Sequence, residues 1–107
     1  MHPPSIIQCC AQRRYLSLVT AAAQAYGKST TGFFLACGPM STDYCPEVEW
    51  VVSQATDVGI KAYLLNQSTF ENGTFGKRCA YGHPGSRDDA AMAKSGSAIV
   101  KAKMGWQ

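Results

Sequence analysis

Two short apolar runs, "GFFLA" at 32–36 and "IKAYLL" at 60–65, are what most constrains the fold of this chain. Each has the length of a strand and is bounded by turn residues. The first run holds no polar side chain and reads as a strand buried on both faces. The second alternates less cleanly. Around them lie three helical patterns. In residues 9–26, Tyr15, Leu18, Val19, Ala22 and Tyr26 recur at helical spacing and predict one apolar stripe. The alanine run favours helix, Gly27 is a natural stop, and Pro3 and Pro4 hold off an earlier start. A second helix follows the loop "CGPMSTDYCP", with Asp43 suited to cap it and Pro46 in its first turn. Val48, Val51, Val52 and Ala55 form its apolar face, and it ends near Gly59. A third helix begins after Pro84, with Ser86 and Asp89 spaced like a capping box. Met92, Ile99 and Val100 supply its buried side, Gly105 ends it, and Trp106 is expected to fold back onto the core. Phe33, Phe34 and Trp50 read as core.

The order is α-β-α-β-α, which predicts an α/β fold with a parallel sheet and helices on its faces. Two strands make a poor sheet. Both want neighbours, and the sequence supplies no third run of the kind.

The 107 residues suit one small domain, 1–107, with a thin margin of stability. Hydrophobic residues at 46 % and charged ones at 16 % fit an ordinary globular protein. The net charge is +3, and the nearest approach to a basic run is Arg13-Arg14. No clustered basic face with interleaved aromatics is present, so no nucleic-acid partner is expected. The apolar stretches are too short to cross a bilayer, so no membrane partner is expected either. "MHPPSIIQCCAQRR" lacks the basic start and apolar core of a secretory signal. Five cysteines suggest an oxidising history all the same. Asn66-Gln67-Ser68 and Asn72-Gly73-Thr74 both match the glycosylation acceptor pattern. Together these features hint at a secreted parent whose signal lies upstream of Met1.

In open α/β sheets functional loops gather beyond the carboxyl ends of the strands. Two loops leave those ends, Cys37 to Cys45 and Asn66 to Pro84. The second is long for a structureless connection, a length that usually signals function or mobility. His83 closes it, just before a helix. That place suits a general base, although by position alone an exposed turn histidine is the commoner outcome. Cys37, Cys45 and Cys79 fall in the same two loops. With His83 they could form a three-cysteine, one-histidine zinc site in a small non-enzymatic domain. No C-x-x-C pair supports that site, and a disulfide between two loop cysteines is the better structural reading. Cys45 with Cys79 is the favoured pair, though spacing does not fix it. Ser41 and Ser68 lack a Gly-x-Ser setting and read as turn residues. Tyr44 and Tyr81 could line a sugar site but more often such tyrosines pack their loop.

The blocks "FFLACGPMSTDYC", "AYLLNQ", "CAYGHPGSRDDAAMA" and "MGW" resemble, in that order, the C-terminal half of SGNH (GDSL-type) esterases. The match is closest to the branch with acetyl-carbohydrate esterases and covers residues 15–106, leaving 1–14 as an uncertain start. The resemblance implies the C-terminal part of a three-layer α/β/α (flavodoxin-like) sandwich with a parallel sheet. It implies hydrolysis of acetyl or other small acyl esters, with a carbohydrate or other small molecule as the alcohol and no cofactor. It makes His83 the general base. The family's Gly-Asp-Ser nucleophile block, oxyanion glycine and asparagine block have no counterpart before Tyr15, so the 107 residues alone are expected to be inactive. Many family members carry Asp three residues before the histidine, where this chain has Ala80. That departure points to a Ser–His dyad with the ring oriented by a backbone carbonyl. Asp88 and Asp89 are then read as helix-capping and dipole-compensating residues. The alternative to an esterase part is the zinc-binding domain above, or a remnant without function.

Overall fold

A computed structural model describes residues 6–39, 42–68 and 85–107. Helix α1 spans Ile6–Tyr26, strand β1 Gly32–Cys37, helix α2 Cys45–Asp57, strand β2 Lys61–Asn66 and helix α3 Ser86–Met104. Strands β1 and β2 are parallel neighbours and form a two-stranded sheet among the described residues. Parallel neighbours need a crossover, and α2 supplies it. The described residues are therefore α/β in the expected α-β-α-β-α order.

Two units divide the chain, Met1–Leu35 with Pro46–Leu64, and Ala36–Cys45 with Leu65–Gln107. The first holds a small aliphatic core: Val19 and Ala23 of α1, Leu35 of β1, Val48, Val51 and Ala55 of α2, then Ile60 and Ala62. In α2 the sequence pattern and the buried face agree, with Val52 half-buried at its flank. Pro46 is the second helical residue, where a missing N–H leaves no hydrogen bond unmade. Glu47 lies in the same first turn, the end at which a carboxylate complements the helix dipole.

In α1 the buried face is turned from the expected stripe. Val19 and Ala23 are buried, Leu16 and Thr20 are half-buried, and Leu18 is 67 % exposed, as is most of Tyr26. The set 16, 19, 20, 23 has helical spacing as good as the expected one. Apolar residues surround this alanine-rich helix, so periodicity leaves the choice of face to packing. Tyr15 stays on the covered flank, where burial pushes its phenol pKa up from the ordinary value.

Strand β1 is not buried on both faces. Leu35 and Cys37, two residues apart, are buried on one side; Ala36 is exposed and Phe34 half-buried on the other. The Phe34 ring lies 5.2 Å from that of Tyr63, tilted by 33°, an aromatic pair across the two strands. Trp50 is half-buried rather than core.

The second unit contains α3. Its N-cap is Gly85, one residue ahead of the expected Ser86, and the side chain that answers it is Asp88. The Gly85 N–H donates to Asp88 Oδ2 at 3.1 Å, the returning half of a capping box; glycine has no side chain to make the other half. Asp88 is only 2 % exposed, whereas Asp89 faces solvent. At the far end Gly105 adopts φ +69°, and the Trp106 N–H reaches back to the Lys101 carbonyl at 2.9 Å. This is a left-handed helix stop of the Schellman type. It turns the Trp106 ring outward, 60 % exposed, so the expected return to the core does not occur.

Two stability measurements check these placements. In urea denaturation, Val19→Ser is expected to cost about 2 kcal/mol or more, and Leu18→Ser no more than about 0.5 kcal/mol. Asp88→Ala should cost about 1–2 kcal/mol through the lost cap, and Asp89→Ala much less.

Candidate functional site

The candidate site is built on the carboxyl ends of the two strands, within the second unit. The Gln67 N–H donates to the Cys37 carbonyl at 2.8 Å, carrying the strand pairing one residue past β2. This bond draws the residue after each strand together. Gly38 has φ +77°, a region unfavourable to other L-residues. A Cβ there would stand 2.8 Å from the Ser68 amide nitrogen and 2.9 Å from the Gln67 carbonyl carbon, both backbone atoms. Glycine in the Cys-Gly-Pro block is thus required twice, by dihedral angle and by space.

Cys37 is joined to Cys45 by a disulfide with a Cα–Cα distance of 5.2 Å. This corrects the expected Cys45–Cys79 pair: the parallel pairing and the turn into α2 bring the two ends of the first loop together. The bridge ties the last residue of β1 to the first of α2. It also removes two of the four ligands of the zinc alternative, because a disulfide sulfur is not a thiolate. Among the described residues no group of three or more His, Cys, Asp or Glu side chains could hold a metal ion. Cys10 is free and exposed on α1.

Three consecutive residues, the last of β2 and the two after it, carry polar groups with distinct environments. Asn66 is exposed; its Oδ1 accepts the Ser68 N–H at 2.9 Å in an Asx turn and lies 3.7 Å from the Cys37 sulfur. Gln67 is 8 % exposed, and its Oε1 has no hydrogen-bond partner among the described residues. Its Nε2 faces Gly96 of α3, where a Cβ would come within 3.6 Å. Ser68 is half-buried. A buried amide oxygen left without a donor costs about 1–3 kcal/mol, so among the described residues of this site Gln67 is the least satisfied. The sequence reading missed it, since nothing in "NQS" says that the middle residue turns inward. The Asx turn had a signal: asparagine two residues before serine at a strand end.

Of the residues singled out in the sequence, Tyr44 is exposed, Asp43 precedes α2 by two residues, and Asp88 holds the Gly85 amide. His83, Cys79, Ala80, Tyr81, Ser41 and Asn72 lie outside the described residues. The first unit has a cavity of about 330 Å³ walled by Leu16, Ala23, Val58 and Ile60, with Lys28 and Gln54 at its lining; it shares no residue with the strand-end site. Among the described residues no helix is long and apolar enough to cross a membrane.

Gly38→Ala is expected to cost about 2 kcal/mol or more, read as a fall in the denaturation midpoint. Loss of the disulfide in the Cys37→Ala, Cys45→Ala double variant should cost about 2.5 kcal/mol by loop-closure entropy, read as a fall in the denaturation midpoint.

No protein-family model matches the chain, and no curated protein and no solved structure matches it either.

Proposed function

We propose that this chain is the histidine-bearing C-terminal part of an SGNH (GDSL-type) serine esterase, with His83 as the general base. The observation that carries the reading is the order of the blocks along the elements. Cys-Gly-Pro-Met begins on the last residue of β1. Asn66-Gln67 spans the end of β2, and His83 and Pro84 stand three and two residues before α3 in the sequence. Met92-Ala93 lies on α3, and Gly105-Trp106 ends it. The first two of these blocks begin at the carboxyl ends of the strands, from which an open α/β sheet offers side chains to a ligand. In the complete fold the sheet is part of a three-layer α/β/α sandwich, and the apolar strands β1 and β2 gain neighbours beyond the pair seen among the described residues.

In this reading a serine hydroxyl from the upstream Gly-Asp-Ser block attacks the acyl carbonyl carbon. His83 takes the hydroxyl proton and delivers it to the departing alcohol oxygen, then activates water in the same way to release the acid. The oxyanion donors also come from upstream. With Ala80 in the place of the family's aspartate, a backbone carbonyl orients the imidazole, which leaves a dyad rather than a triad. Asp88 is engaged as the cap of α3 and is not required as the acid. The substrate is an acetyl or other small acyl ester, with a carbohydrate as the favoured alcohol.

The test is a polypeptide in which residues 1–107 continue in frame from an upstream Gly-Asp-Ser segment. It should hydrolyse an aryl acetate. His83→Ala should lower kcat by roughly 10³-fold or more while leaving the unfolding midpoint unchanged. The 107 residues alone should show no turnover above buffer. Turnover by the 107 residues that His83→Ala abolishes would show that the nucleophile lies within them, and full activity in the longer His83→Ala variant would remove His83 from the chemistry.

A further inference from the structure

We propose that Asn66 is a site of N-linked glycosylation, built so that its amide nitrogen stays free in the folded, disulfide-closed protein. Three independent observations converge on it. The first is the acceptor pattern Asn66-Gln67-Ser68, with no proline in the middle position. The second is the orientation of the amide. The Ser68 backbone N–H is a donor, so the Asn66 side-chain atom 2.9 Å from it must be the oxygen. Oδ1 is therefore turned inward, towards the Ser68 amide and the Cys37 sulfur. Nδ2, on the opposite branch of the same planar group, is left pointing away from both. Asn66 is exposed even though Gln67 next to it is buried, so its side chain has access to solvent. The third is the Cys37–Cys45 disulfide, eight residues apart in sequence and in contact with the same asparagine. A structural disulfide forms in the oxidising lumen where glycosylation takes place.

The chemistry is a glycosyl transfer from a polyprenyl-pyrophosphate-linked oligosaccharide. The Asn66 Nδ2–C1 bond forms and the bond from C1 to the pyrophosphate oxygen breaks. The pyrophosphate leaves with the bonding pair and the amide loses one proton. Nothing is oxidised or reduced. The product keeps Oδ1 on the Ser68 N–H, because the new bond is to nitrogen alone. The modification thus leaves the Asx turn intact and adds a hydrated mass at the end of β2. This inference does not rest on the catalytic role of His83.

The full 107-residue chain, led into the secretory pathway of a eukaryotic cell by a cleavable signal peptide, provides the test. Peptide N-glycosidase converts a glycosylated asparagine to aspartate, and this mark is read by mass spectrometry. Cleavage after Lys61 and Lys77 leaves Asn66 and Asn72 on one peptide, so fragmentation must assign the mark between them. The expected result is a mark on Asn66 in the majority of chains that also carry the Cys37–Cys45 bridge, mapped without reductant. Ser68→Ala should abolish the mark on Asn66 and leave any mark on Asn72 in place, while Ser68→Thr should retain it. An unmarked Asn66 in the bridged chain overturns the proposal. So does a mark on Asn66 confined to chains without the bridge, because the folded site would then exclude the glycan.

Discussion

The hydrogen bond from the Gln67 amide to the Cys37 carbonyl is the contact on which the rest of the strand-end region depends. It sets the register in which β1 and β2 finish. That register presses Gly38 against the backbone of Gln67 and Ser68, and it brings the Asn66 side chain beside the Cys37 sulfur. The disulfide then fastens the same Cys37 to the first residue of α2. A single backbone hydrogen bond contributes only about 1 kcal/mol net. Here it is reinforced by a covalent link that closes a short loop, and by a glycine that admits the approach.

The two units differ in how they are stabilised. The first has a core of small aliphatic residues, of which Val51 and Ala55 are fully covered. Its aromatic residues Phe33, Phe34, Trp50 and Tyr63 remain half-buried. Strands as apolar as these normally lie in the interior of a parallel sheet, with helices on both sides. Among the described residues no further strand lies beside these two, and open apolar edges are a known route to self-association. The second unit relies more on polar geometry: a bridge, an Asx turn, and a helix capped by a buried aspartate at one end and a left-handed glycine at the other.

Asn66, Gln67 and Ser68 show how closely different roles can be packed at a strand end. Side chains of an extended segment alternate in direction, so neighbours face opposite environments. Asn66 meets solvent and Gln67 meets α3 at Gly96. A small residue at position 96 is what lets the Gln67 amide lie against that helix. The acceptor pattern is therefore anchored from within by its middle residue, while its first residue stays accessible.

The sequence by itself determined the kind and order of the elements. Apolar runs of strand length, helical spacing, Pro46 near a helix start and Gly105 at a helix stop are local signals, and local sterics and hydrogen bonding suffice to read them. The face α2 buries was legible for the same reason, since Val48, Val51 and Ala55 are its apolar stripe. Only the tertiary structure decided which side of α1 is covered, because that helix is apolar on several sides and the neighbour makes the choice. It also decided that Cys37 joins Cys45, that Asp88 rather than Asp89 holds the start of α3, that Trp106 turns outward and that Gln67 turns in. Each of these depends on which groups are brought within a few ångströms by chain pairing and packing, and spacing along the chain does not encode that proximity.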